Sequence, residues 1–584
     1  VLKRLSKENV RPMMRRLAKI CFSNPLPCLL TILQQIESYD NLNTLVVETA
    51  RYFNAYGWDN LTAAILIRLA SSRSSTYNGM SERQWVQSLA SFIGKICQRY
   101  PHAIDIKTIL AFILKSFYSG DTIGLLVLKE MFISMGGIQH ITNLTINQID
   151  MINCGSSLQK IVYNTIDDLR FERRATGKYL IKCMNEIDAV NELLVLLCRI
   201  SNDVTFTGNE SYLKVLVSKS DDVNAVIRLF VTLINLYDED LNLMPIQQLS
   251  DLGVPWSWAY EVWRFRGKTE KDNLSLESTS SIFDNFWKLS LHDINYTNEL
   301  YDNETIKLES NIKSLKDSIA INLKNKELPR TVIDKQRKDL ETCEEYQKTL
   351  VDERARHKDE NEKIEEQLKQ ISFNWFVDLS FEEFIQKCIF PRAITSSFDA
   401  VYSARFLFKL NSMKIDNYSL VNVLDLLFKS KSLFGTLCSS TPTEAENIGL
   451  FFADVLRTLQ GWRDESKYGE IGLQDQDGDA ITFDDFKKLL YDYHSLLLEE
   501  IRIGLQAPEY ISRNNTIIFL KNLLAVYPTV DDHGAQIVNL IEKLSTTEKR
   551  NDLKLASNAL LVHVKSKSKN WVPIWDFISM SEEE

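Results

Sequence analysis

A chain of 584 residues holds three or four domains' worth of material at roughly 150 residues per domain, which excludes a single small domain. Glycine (20) and proline (12) are scarce, 45 % of residues are hydrophobic and 25 % are charged, so long helices around large cores are expected and global disorder is excluded. The formal net charge of −10 excludes nucleic-acid affinity from overall charge and leaves a local basic face as the route to it.

The opening Val1–Leu5 is neither an initiator methionine nor a signal peptide, and the chain is expected to be a piece of a longer protein. Lys3, Arg4, Lys7, Arg11, Arg15 and Lys19 fall at helical spacing, while Leu5, Met13, Met14 and Leu17 can face inward. A contact for RNA or an acidic partner and a solvated helix face both fit this basic flank, and Pro12 can split the segment. Across residues 1–265, breaks at 24–27, 57, 71–75, 101, 119–121, 136–137 and 155–157 separate helix-period stretches. Trp85, Leu89, Phe92, Ile93 and Ile96 mark one such face. The period is irregular, so a HEAT-like stack of helical hairpins is predicted and a strict repeat family is not.

Trp256, Tyr260 and Trp263 stand at i, i+4 and i+7 among Arg264, Arg266 and Lys268. They read as a core stripe with a solvated basic edge, with an RNA-stacking platform as the alternative. Gly267-Lys268-Thr269 lacks the glycine a phosphate loop needs five residues earlier, where Val262 stands. Residues 266–300 are assigned to connecting helices.

Residues 301–372 are densely charged and predicted to form an antiparallel helical hairpin turning at Asn325–Arg330, around Pro329; a long dimeric coil is the alternative. Leu308, Ile312, Leu315 and Ile319 make a packed seam on the first arm. On the second, Leu340, Cys343, Leu350, Ile364, Leu368 and Ile371 continue it, but Gln347, Arg354, His357 and Asn361 fall at seam positions and weaken it. Residues 373–584 resume apolar helix patterns and form a second helical domain. The fold class is therefore all-α: a HEAT-like solenoid followed by a second helical domain with a charged hairpin.

Local chemistry is sparse. Asp475, Asp477, Gly478 and Asp479 resemble a calcium loop, but its first position falls on Leu473 and its twelfth on Asp484, so an acidic surface loop is expected. The seven histidines are dispersed, the nine cysteines form no C-x-x-C, and no G-x-S-x-G occurs. Catalysis, cofactor and metal are accordingly not expected. The cysteines read as reduced thiols of an intracellular protein, and no apolar run reaches the roughly 18 residues of a membrane span, so no membrane partner is expected.

Particular segments resemble a known family. Asn24–Cys28 with Gln35–Leu42, then Trp85–Phe92, Leu126–Glu130, Phe286–Ser290, Cys388–Arg392 and Asp399–Phe406 are similar, in order, to segments of the THO complex subunit 2 family, with a divergence closer to a fungal than an animal member. The resemblance covers the central to C-terminal helical portion of that family. It implies a non-enzymatic nuclear scaffold of mRNA export whose first region is similar to the middle domain of the translation-initiation scaffold. The implied partners are other THO subunits and a DEAD-box RNA helicase. It also implies a basic tail outside this sequence, so RNA contact is expected to be indirect or through that tail. Candidate helicase contacts are Arg15, Arg16, Glu37, Tyr39, Asp40 and Asn41, with Asp40 equally placed to cap a helix. Lys3, Arg4, Lys7, Arg11, Arg264, Arg266 and Lys268 are the nucleic-acid candidates of the rival reading, a direct RNA-binding module.

Overall fold

The computed structural model describes residues 10–578 except 40, 72–82, 140, 167–173, 208–211, 238–240, 265–281, 326–329, 373–374, 378, 472 and 475–479. The regular structure of the described residues is helical, joined by turns and short irregular connections, apart from two isolated bridges, Gln474 to Ala480 and Val530 to Val572. The fold is all-α, as the glycine and proline deficit and the 3.6-residue periodicity require. Contacts divide the chain into two units, residues 1–142 with 163–271, and residues 143–162 with 272–584.

In the first unit successive helices stack on one continuous apolar core. Helix Pro25–Ser38 packs on Ala55–Leu69 and Arg83–Arg99, and Arg83–Arg99 packs on Gly124–Gly136, which also meets Ala175–Glu186 and Leu213–Leu236. The predicted face is real: Leu89, Phe92, Ile93 and Ile96 are fully buried and Trp85 packs at the edge. Gly94 lets Arg83–Arg99 lie close against Gly124–Gly136, since a β-carbon there would lie 2.7 Å from the Glu130 carbonyl oxygen. Gly137, at φ +69°, ends the Gly124–Gly136 helix in the left-handed conformation that glycine adopts at least cost.

The second unit contains the charged hairpin, helices Asn298–Asn325 and Arg330–Ile371. Its arms are antiparallel, because partners descend on one arm as they climb on the other. Tyr301 meets His357, Lys316 pairs with Glu344 at 2.8 Å, and Asn322 donates to Gln336 at 3.0 Å. Leu308, Ile312, Ile319, Leu350, Ile364, Leu368 and Ile371 are buried along the seam. Farther along, Ser397–Ser412 packs on Pro442–Gly461, which packs on Tyr510–Leu523, and Phe483–Gln506, Asp531–Thr547 and Asn551–Lys567 follow in succession. Thr441 and Glu444 close a reciprocal capping box at the start of Pro442–Gly461.

Two local expectations are corrected. Pro12 does not split its segment: helix Val10–Ser23 starts two residues earlier, and a proline in the first turn removes no intrahelical hydrogen bond. The sequence also predicts that Pro391 ends the helix carrying Phe384 and Cys388, as an interior proline normally would, and it does not. A π turn at Ile385–Ile389, in which the Phe390 amide donates back to the Ile385 carbonyl, carries the helix through the proline to Ala393. Gly267–Thr269, the Asp475–Asp479 loop and Pro329 lie outside the described residues.

Candidate docking surface and the buried signature segments

Helix Val10–Ser23 is amphipathic. Met14, Leu17, Ala18 and Cys21 are buried, while Arg15, Arg16 and Lys19 are exposed. Past Asn24, Pro25 occupies the first position of the next helix, where its missing N–H is unneeded and its fixed φ suits the first turn. That helix ends at Ser38, and Tyr39 and Asn41 are exposed at its far end. Arg15, Arg16, Tyr39 and Asn41 are thus free to meet a partner.

Glu37 is not. It is 7 % exposed and its carboxylate accepts two bonds from Arg68, one of 2.7 Å from Nε, tying Pro25–Ser38 to Ala55–Leu69. Asp40, Lys3, Arg4 and Lys7 lie outside the described residues, as does the side chain of Arg11. Among the aromatic-basic cluster, Tyr260 is buried, Trp263 donates its indole N–H to the Met244 carbonyl at 2.9 Å, and Trp256 is 38 % exposed. The Arg264 side chain is 6 % exposed and pairs with Glu261 at 3.1 Å, so it does not line an open basic face. Arg266 and Lys268 lie outside the described residues. Periodicity missed the exposed Ile20, Phe22, Tyr52 and Tyr56. The signal for Phe22 was present, since it stands one residue past Cys21 and therefore off the buried stripe.

Three signature segments meet in the second unit. Arg392 is fully buried. Its guanidinium donates to Asp399 at 2.7 Å, to the Leu289 carbonyl at 2.8 Å and to the Phe286 carbonyl, and lies 3.5 Å from the centre of the Tyr402 ring. The Tyr402 hydroxyl donates to the same Phe286 carbonyl at 2.9 Å. The Phe286 ring packs at 5.3 Å from Tyr402, 5.1 Å from Phe406 and 6.2 Å from Phe384. Asp399 also accepts from the Ser396 and Thr395 hydroxyls, so the charge pair is hydrogen-bonded on both sides, as a buried ion pair must be. Phe286–Ser290, Cys388–Arg392 and Asp399–Phe406 are therefore one internal knot.

Arg405, six residues from Asp399 along the same helix, ties in another segment. It donates to Asp454 at 3.1 Å and to Asp150 at 2.9 Å, and Arg457 joins Asp454 at 2.7 Å. Two histidines form the root of the hairpin. His292 and His357 stack at 3.9 Å; His357 Nδ1 bonds the Tyr301 hydroxyl and Nε2 the His292 carbonyl, both at 3.0 Å. Burial, and next the neighbouring His292 ring, depress the His357 pKa to about 4. Asn361 donates to the Asp293 carbonyl at 2.8 Å, and Glu353 accepts from the Ser157 amide at 3.0 Å, capping helix Ser156–Thr165 from a distance. Among the described residues no group of three or more histidine, cysteine or acidic side chains gathers to hold a metal, and no helix is long and apolar enough to cross a membrane.

Two family models match the chain. One described as transcription factor/nuclear export subunit protein 2 covers residues 277–564, which include the knot, and one described as transcription- and export-related complex subunit covers residues 17–90. THO complex subunit 2 of Saccharomyces cerevisiae is 29 % identical over 616 residues, with 100 % of this chain and 36 % of the relative covered. The Homo sapiens protein of that name is 26 % identical (99 % and 40 % covered), and the Arabidopsis thaliana one 23 % (99 % and 36 %). The chain thus spans little more than a third of the length of the curated relatives it matches. Two family models at the two ends and colinear relatives across its whole length place the chain in the THO complex subunit 2 family.

Proposed function

We propose that this chain is a non-enzymatic scaffold segment of the THO/transcription-export complex, acting in the nucleus to couple transcription to mRNP assembly and mRNA export. The observation that carries this is the similarity to THO complex subunit 2 along the entire chain. The fold supports it: Phe286, Arg392, Asp399, Tyr402 and Phe406 of the later segments are committed to the interior, and the stacked helices leave extended surfaces for partners. Residues 1–265 serve as the HEAT-like docking body and 266–300 as connecting helices, while the 301–372 hairpin and 373–584 hold other THO subunits.

Within the first region, Arg15, Arg16, Tyr39 and Asn41, with Ile20 and Phe22 beside them in sequence, dock a DEAD-box RNA helicase of the export pathway. Docking favours one arrangement of its two lobes, since only differential affinity for the two states alters turnover. Contact with RNA is indirect. The test is a pull-down of the purified helicase, and separately of the other THO subunits, on this chain and on its Arg15→Glu/Arg16→Glu variant. Helicase retention by the parent, its loss in the variant and unchanged retention of the other subunits are expected. Equal helicase retention by both chains would place the dock elsewhere, and failure to retain any THO subunit would refute the scaffold reading.

A further inference from the structure

All nine cysteines are free thiols, and two of them touch. Cys21, near the end of helix Val10–Ser23, and Cys28, in the first turn of Pro25–Ser38, hold their sulfur atoms 3.3 Å apart across the turn between the helices. The turn presents them firmly. The Asn24 amide donates to the Ile20 carbonyl at 3.0 Å, the Ser23 hydroxyl to the Lys19 and Ile20 carbonyls at 3.2 and 3.1 Å, and Pro25 and Pro27 fix φ on the other side. Cys21 is 2 % exposed, whereas Cys28 is half-buried and open to solvent on one side. One sulfur is reachable by a small oxidant, and the second waits behind it in contact.

We propose that Cys21 and Cys28 form a reversible redox pair, closed to an intramolecular disulfide by hydroperoxides and reopened by thiol reductants. Cys28 is the attacking thiol. Its sulfur is the one solvent reaches, and the contact with Cys21 lowers its pKa against the opposing effect of burial, while the same contact and burial raise that of Cys21. The Cys28 thiolate takes the outer oxygen of hydrogen peroxide, breaking the O–O bond to give Cys28 sulfenic acid and hydroxide, which its released proton turns to water. The Cys21 sulfur then attacks the sulfenic sulfur; the S–O bond breaks, hydroxide leaves, and the Cys21 proton converts it to a second water. Two thiols are oxidised and one peroxide is reduced to two waters. A bond of about 2.05 Å requires the sulfurs to close the remaining gap by side-chain rotation within an eight-residue loop. In a compartment whose thiol pool is reduced the pair rests open, and oxidation pins the basic Val10–Ser23 helix to its neighbour.

The sequence makes the test direct. With no lysine or arginine from residue 20 to 50, both cysteines fall in the single tryptic peptide Ile20–Arg51. The full chain is treated with dilute hydrogen peroxide, alkylated without reduction, digested and weighed. The proposal expects this peptide to lose the mass of two hydrogens and to carry no alkyl group, while the other seven cysteines stay alkylated, and dithiothreitol before alkylation to restore both groups. In the Cys21→Ser variant, dimedone should trap sulfenic acid at Cys28. Two alkylated thiols in Ile20–Arg51 after peroxide, oxidation of Cys28 to sulfinic acid with Cys21 still a thiol, or absence of the dimedone adduct would each overturn it. The parent chain alone supplies the first two of these readings, which depend neither on how the variant folds nor on the proposed partners.

Discussion

Arg392 shows what a single residue of the signature segments does. A fully buried guanidinium is tolerable because Asp399 neutralises it, two carbonyls take its remaining donors and Tyr402 offers its ring face. Arg392→Ala would leave the Asp399 carboxylate and two carbonyls in a closed site and should cost about 3–5 kcal/mol, read as a lower denaturant midpoint. Arg392→Lys should recover only part of it, since an ammonium cannot reproduce the planar fork. Phe406→Ala, at a position with no exposure, should likewise cost about 3–5 kcal/mol, whereas an unchanged melting temperature would show that the ring is not core. At this scale the sequence is partly legible: Tyr402 and Phe406 stand at i and i+4, a spacing that puts both on one helix face, and both are buried. Glu37, expected among the exposed partner contacts, is buried instead, because its partner Arg68 is distant in sequence and a buried ion pair leaves no periodic trace.

The same scale carries a pH dependence. His357 and His494 are held neutral by burial, with pKa values depressed from 6.5 to about 4 and about 3. Above pH 6.5 the folded and unfolded states both carry neutral rings and stability is complete. Between 6.5 and 4 the unfolded chain takes up protons that the folded one refuses, so stability falls as the pH falls. The melting temperature should therefore drop from pH 6.5 to pH 5, above the range in which ordinary carboxylates titrate, and drop less in a His357→Gln chain. A flat profile in that window would contradict the buried neutral assignment.

At the scale of elements, the seam of the long hairpin was legible and its interruptions were not. Leu308, Ile312, Leu350 and Leu368 follow a packed-helix frame and are buried, while His357 and Asn361 look like defects in that frame. They are buried too, because the hairpin meets the backbone of His292 and Asp293 there, and a polar side chain is what satisfies a carbonyl. The membership of residues 143–162 in the second unit was also hidden. It rests on Asp150 reaching Arg405, Glu353 reaching Ser157 and the Tyr301 hydroxyl receiving the Gly155 amide, pairings of large sequence separation that no local pattern encodes. Arg405→Met should therefore loosen helix Ile146–Ile152 selectively. Its amides should exchange with solvent at least tenfold faster, while those of Tyr510–Leu523 remain unchanged; uniform acceleration would mean that Arg405 supports the whole unit.

At the scale of the molecule, the segments Phe286–Ser290, Cys388–Arg392 and Asp399–Phe406 mark the family and hold helices in place from the interior. Residues of the proposed dock such as Arg15 and Arg16 stand on a sequence that resembles any solvated helix, which is why membership was readable from one chain and contact residues were not. The central claim is that residues 1–265 change the behaviour of a DEAD-box helicase they do not themselves imitate. The most direct measurement is the RNA-stimulated ATPase rate of that helicase, titrated with this chain and with its Arg15→Glu/Arg16→Glu variant. The account predicts a saturable change in turnover with the parent chain and a weaker or absent one with the variant, while this chain alone hydrolyses no ATP. A turnover unaffected by saturating parent chain would contradict it.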